Sequence, residues 1–333
     1  MNTKLRIDGI TTGHVQGIAT DGSHMYYSFT TCLIKTDMEG NICGSVKGLA
    51  GHLGCIAFHN GSVYGSLEYK HDAIGQGILA NSDIDVEDGF YIAVFDVDEL
   101  TRVDMDAEKD GVMKAVFLKE VTDDYKSKRY SASGIDGTTF APAPGIEDGE
   151  LFLYVAYGIY GDTTRQDNDY QVILRYSISD WDAYLKPLNQ LSMHRSGPQK
   201  PDAKYFVYTG NTNWGIQNLE YDKDTGYLFA AVYCGNKEDF PNYPMFVIDR
   251  TQEAKQMPLI GLSETQYTLP LAKIGETDEK TALSGIRFPY GATGMISLGN
   301  GDFYFSRDFY ENNAWGTEIA LYHFDGNTFI EKF

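Results

Sequence analysis

The sequence predicts an all-β chain made of repeated four-stranded antiparallel sheets, and three observations predict it. Aromatic residues fill 14% of the 333 positions, and 35 glycines punctuate them. Aromatic strands broken by Gly-rich turns are the composition of β structure. A unit of four short strands opens the chain and returns four more times. The second strands of these units share one register. A closed ring of such sheets is a β-propeller. The count predicts five blades, with six as the alternative, in one domain over residues 1–333.

The first unit, QGIATDGSHMYYSFTTCLIKTDMEGNICGSV, divides into GIAT, MYYSF, CLIKTD and NICGSV, with tight turns at DGS and MEG. The second has LGCIAFHNGSVYGSLEY, GFYIAVFDVDEL and MKAVFLKEV. The third has SGIDGTTFAP, ELFLYVAYG, QVILRYSI and KYFVYTG. The fourth has WGIQNLEYDKDTGYLFAAVY and MFVIDR, with its last strand expected within residues 256–275. The fifth has GATGMISLGNGDFYFSRD, EIALYHFD and NTFIEKF. The ring closes if KLRIDGI, residues 4–10, supplies an outer strand to the last blade, or if FIEKF does so alone.

Aligned second strands place Tyr26, Tyr64, Tyr154, Phe229 and Tyr304 in one position. Two residues on come Ser28, Ser66, Ala156, Ala231 and Ser306. Large-then-small at period two is one strand face packing against a neighbouring sheet. The first strands carry Gly17, Gly54, Gly134, Gly137, Gly215, Gly291 and Gly294. Glycine inside a strand marks close backbone approach, as inner strands crowd at an axis. Asp37, Asp96, Asp249 and Asp325 end or follow third strands, where they can accept backbone N–H groups in turns.

The blade pattern GIATDGSHMYYSF…LIKTDMEGNICGSV resembles blades of the NHL and SMP-30/gluconolactonase-like propellers. The resemblance covers residues 16–46 best and implies a blade, not a chemistry. Those families commonly have six blades. A count of five resembles the arabinanase-like and calcium-activated nucleotidase propellers instead. The short His/Arg-Asp-Pro signal of the glycosidase group is absent, and no catalytic residue is carried over.

A net charge of −20 opposes phosphate backbones and anionic lipid, so neither nucleic acid nor membrane is an expected partner. The start MNTKLRIDGITTGHVQG has no apolar leader core, which points to the cytoplasm. Cys32, Cys43, Cys55 and Cys234 form no CxxC pair and are expected as free thiols. There is no GxxxxGK[ST] and no GxSxG.

Function is expected on the face where first strands start and second strands end. Long connections gather there, at residues 69–89, 158–169, 234–244 and 308–317, and loops longer than a hairpin needs often carry function. Candidate acid/base residues are Glu68, His52, His14, His71 and Asp308, with His71 inside a Lys-His-Asp run at 70–72. Gln16, Gln217, Tyr157, Tyr233 and Arg307 are candidate substrate contacts. Asp136 and Glu68 could hold a divalent cation such as Ca²⁺, which takes carboxylate and amide oxygens. Aromatics on this rim, among them Tyr160, Phe240, Tyr243, Tyr310 and Trp315, suit sugar rings. The expected activity is a hydrolase or lyase acting on a small sugar, sugar acid or lactone. The alternative is a propeller that binds a glycan, small molecule or protein without converting it.

Overall fold

The computed structural model describes residues 2–79, 86–210 and 212–333. Five antiparallel sheets form a five-bladed β-propeller, as the repeat predicts. The inner strands are Val15–Thr20, His52–His59, Ala132–Ala141, Asn213–Tyr221 and Met295–Gly299. Each pairs outward with a second strand: His24–Phe29, Ser62–Tyr69, Phe152–Ile159, Leu228–Tyr233 and Asp302–Glu311.

The shared register of the second strands is the packing code of the ring. Tyr26 lies in the core between blades one and two, and Tyr64 packs against that between two and three. Tyr154 lies between three and four, Phe229 between four and five, and Tyr304 between five and one. Each aromatic therefore faces the next blade round the ring. The small residue two positions on leaves room for the neighbour's inner strand. Ser28 even donates to the Gly54 carbonyl oxygen of the next blade, at 2.6 Å. Close approach explains Gly17: a Cβ there would stand 2.8 Å from the Ile56 amide nitrogen and 2.9 Å from the Cys55 Cα.

Both chain ends close the ring. Lys4–Ile10 pairs with the first part of Ala314–Phe324, from Trp315 to Ala320, and Phe329–Glu331 pairs with the rest, from Tyr322 to Phe324. The two candidates for the outer strand thus share the position. Asp37, Asp96, Asp249 and Asp325 each accept a nearby backbone N–H in a turn. All four cysteines are free, with Cys32 and Cys55 buried and Cys43 and Cys234 exposed.

Blade four departs from the expectation of four strands. Within residues 256–275 the chain does not complete this blade. Lys255–Pro258 and Thr265–Thr268 form a hairpin on the outer edge of blade three, where Thr265–Thr268 runs parallel to Ala203–Tyr208. Blade four has three strands, and on the free side of its outer strand, Met245–Ile248, the described residues make single bridges to Ile286 and Leu271. Pro270 lies in the covering segment and has no N–H for a regular ladder. The Ala272 amide instead reaches the Val247 carbonyl at 2.8 Å. In blade two the expected strand MKAVFLKEV ends at Phe117, and its last residues enter the helix Lys119–Lys126.

Candidate functional site

Four blades line one axial funnel of about 300 Å³. Blade one contributes His14, Gln16 and Thr30, and blade two His52, Glu68 and Lys70. Blade three gives Ser133 and Asp136, and blade four Trp214, Gln217 and Tyr233. Ile74 and Ile78 of the helix Ala73–Leu79 cover one side. That helix occupies part of the long 69–89 connection, of which residues 80–85 lie outside the described residues.

The inner strands aim polar side chains at the axis by breaking their own ladders. Register shifts fall between Val15 and Gly17, between Ile135 and Thr138, and between Ile216 and Asn218. Gln16, Asp136 and Gln217 sit inside these three irregularities. A bulge bends its strand and re-aims a side chain, and bulges concentrate beside active sites.

Charge is organised around His52. Its Nδ1 lies 3.5 Å from Glu68 Oε1 and 3.7 Å from Asp136 Oδ1. Among the described residues Nδ1 has no hydrogen-bond partner, and the two contacts become ionic when the imidazole is protonated. Burial pulls the imidazole pKa down, but Glu68 and Asp136 outweigh it, and the net shift is upward.

Glu68 is fully engaged. Lys70 Nζ stands 2.6 Å from its Oε1, and the Ile135 amide donates to its Oε2 at 3.1 Å. Burial pushes this carboxyl up, yet Lys70 and His52 outweigh it and hold it below its ordinary range. Lys70 also donates to the Ser133 carbonyl oxygen at 2.9 Å. Burial works against its charge, but Glu68 and Asp72 prevail and push its pKa up to about 12.

Asp136 differs. Gln217 Nε2 donates to its Oδ2 at 3.1 Å, and among the described residues no ammonium or guanidinium is bonded to it. Burial pushes its pKa up to about 7; His52 opposes this and Glu68 reinforces it. The two carboxylates are therefore pushed in opposite directions, Glu68 toward its ionised form and Asp136 toward its protonated form. Tyr233 is pushed up to about 12 by burial, then by Asp136 and Asp308.

Of the residues singled out from sequence, His14, Gln16, His52, Glu68, Asp136, Gln217 and Tyr233 come together here. Four do not line the funnel. His71 is on the rim with its Nδ1 2.9 Å from Asp88 Oδ1. Asp308 is exposed on blade five. Arg307 turns to Glu318 and Glu331 and lies over the Tyr322 ring. Tyr157 is fully buried between blades two and three, donating to Asp124 Oδ2 at 2.8 Å. Strand alternation explains Tyr157: Ala156 faces blade four, so its neighbour must face blade two. Trp214 was not singled out as a site residue; Lys70, part of the Lys-His-Asp run at 70–72, lies just past the end of the strand Ser62–Tyr69 and reaches back to Glu68.

Among the described residues no three or more His, Cys, Asp or Glu side chains are grouped to hold a metal. Lys70 already supplies the positive charge beside Glu68 that a cation would bring.

No protein-family profile matches the chain, and no curated protein matches it. Solved structures similar to it include the PQQ-bound aldose sugar dehydrogenase of Streptomyces coelicolor, 12% identical with a TM-score of 0.40, covering 95% of this chain and 98% of that one. The GH43 endo-arabinanase of Bacillus licheniformis is 10% identical with a TM-score of 0.43, covering 96% and 98%. The Bombyx mori GH32 beta-fructofuranosidase is 12% identical with a TM-score of 0.43, covering 96% of this chain and 62% of its own. At these values none bears on what this chain does. Among the described residues, no helix is long and apolar enough to cross a membrane.

Proposed function

We propose that the funnel is an acid–base catalytic site of hydrolase or lyase type, acting on a small sugar, sugar acid or lactone. The observation that carries this reading is the division of labour between two carboxylates around His52. Glu68 is held by Lys70 at 2.6 Å, whereas among the described residues Asp136 has Gln217 and the imidazole beside it. A carboxyl that stays protonated near neutrality can donate to a leaving oxygen.

In this reading Asp136 gives its proton to the leaving oxygen as the C–O bond breaks, water adds to the carbon in its place, and the proton that water sheds returns to the Asp136 carboxylate. The carboxylate left behind is stabilised by the His52 imidazolium and by Gln217 Nε2. Glu68 does no proton transfer. It positions His52 and, through the Ile135 amide, the strand that carries Asp136. The test is turnover of p-nitrophenyl glycosides, D-glucono-1,5-lactone and aldonic acids by the native chain and by Asp136→Asn. Loss of a general acid costs about 10²–10⁴-fold in rate. Full activity in Asp136→Asn, or saturable binding of these compounds with no product, would overturn the reading.

A further inference from the structure

Trp214 lines the funnel with φ at +63°, a left-handed conformation that is an outlier for a bulky residue. The backbone around it enforces this. Gly215 follows at φ +74°, and a Cβ there would stand 2.5 Å from the Tyr157 carbonyl oxygen. Gln217 Nε2 holds the Trp214 carbonyl oxygen at 3.1 Å while its other proton goes to Asp136. One amide thus fixes both the indole's backbone and the acid. Outliers of this kind persist where the surrounding structure over-determines them, and they cluster at ligand clamps.

The remaining groups define what the indole would meet. The indole is half-buried, and the Tyr160 ring meets it at 66° with centroids 5.7 Å apart, so the two rings are not stacked in parallel. Ile74 lines the same funnel and is 47% exposed, an apolar side chain over a polar floor. Both Gln217 Nε2 protons are used within the protein, and Gln16 Nε2 is used by Thr30 Oγ1 at 3.2 Å and His14 Nε2 at 3.3 Å. Each glutamine is left with its Oε1 as an acceptor. Two acceptors beside an aromatic face and an aliphatic wall match a ring that carries hydroxyl donors on its edge and C–H groups on its faces.

We propose that Trp214 is the stacking platform of the funnel and selects a neutral cyclic polyol, a sugar ring, over acyclic or anionic molecules. This rests on the acid–base reading of the same funnel and names its substrate class. Aromatic faces bind the C–H side of such rings because both surfaces are apolar, while the ring edge remains free to hydrogen-bond.

The experiment is a binding titration of the full chain with methyl β-D-glucopyranoside, methyl β-D-xylopyranoside, D-gluconate and acyclic D-glucitol, read by saturation-transfer NMR. At least one glycoside binds saturably, with transfer to its axial ring protons, and D-glucitol and D-gluconate bind at least tenfold more weakly. Trp214→Gly weakens the glycoside at least tenfold, and Trp214→Phe by less than threefold. Glycine is at ease at φ +63°, so Trp214→Gly tests the indole without adding backbone strain. The proposal fails if neither glycoside binds, if Trp214→Gly binds as well as the native chain, or if D-glucitol binds equally. Failure of the catalytic reading looks different. Glycoside binding that depends on Trp214, with no turnover by the native chain in any assay, would remove the acid and leave the platform.

Discussion

His52 Nδ1 stands 3.7 Å from Asp136 Oδ1 across the boundary between blades two and three. On its other side Glu68 Oε1 is at 3.5 Å. One imidazole between two carboxylates would be indifferent to which of them carries a proton. Lys70 removes the symmetry, because its ammonium is within reach of Glu68 and not bonded to Asp136.

Removing Lys70 therefore leaves a buried anion without its partner. Lys70 is 5% exposed and Glu68 4%. Breaking one side of such a pair costs about 3–5 kcal/mol. Lys70→Met should lower stability by that order in urea denaturation, and the Lys70→Met/Glu68→Gln double variant should recover much of the loss. Equal stability of Lys70→Met and the native chain would show that Glu68 does not depend on this ammonium.

Gly134 leaves no room for a side chain. Its φ is +148°, and a Cβ would lie 1.9 Å from Glu68 Oε2. Gly134→Ala should cost about 2 kcal/mol or more, the range for strain combined with displacement of a buried polar network. Because Asp136 lies two residues on, activity should fall further than the folded fraction does, which turnover measured alongside circular dichroism will separate.

The raised pKa of Asp136 makes stability depend on pH. It rises from about 4 in the unfolded chain to about 7 in the folded one, so between these values the folded chain holds a proton the unfolded chain has released. This contribution is full below pH 4 and is lost as pH climbs through 7. Asp136→Asn lacks it, so denaturation midpoints should shift in favour of Asp136→Asn as pH goes from 4 to 8. A constant difference across that range would contradict the assignment.

The N-terminal strand is part of the last blade. Leu5, Ile7 and Ile10 are buried there, and the Tyr304 hydroxyl donates to the Asn2 carbonyl oxygen at 2.6 Å. Deleting residues 1–10 exposes these contacts and opens the ring. At about 1.5–3 kcal/mol for each large buried side chain, the loss should be several kcal/mol, seen as a lower urea midpoint. An unchanged midpoint would mean that Phe329–Glu331 closes the ring without help.

The fold was legible because blade packing has a period that survives in sequence. Tyr26, Tyr154 and Phe229 are each followed two residues later by a small residue, and each faces the next blade. The site was half legible. Strand starts and ends led to His52, Glu68 and Gln217, since topology alone places them at one mouth. Tyr157 misled because it stands near a second-strand end yet points to the wrong side, and Arg307 because its strand runs on to Glu311 and leaves it in mid-strand. Trp214 was hidden, because a left-handed tryptophan follows no propensity. The bulges that turn Gln16 and Asp136 to the axis leave no mark beyond nearby glycines. The displaced edge of blade four has the same origin, since the outermost strand is held by few bonds and obeys no repeat.

The central claim is that Asp136 exchanges its proton near neutrality while Glu68 does not. Carboxyl ¹³C NMR titration of the aspartate- and glutamate-labelled chain from pH 3 to 9 tests it directly. One aspartate should titrate near pH 7, disappear in Asp136→Asn and move higher in His52→Gln, because the imidazolium favours its ionised form. The Glu68 signal, assigned by its loss in Glu68→Gln, should already be ionised at pH 5. No aspartate titrating above pH 5, or a Glu68 that titrates near 7 in its place, would contradict the account.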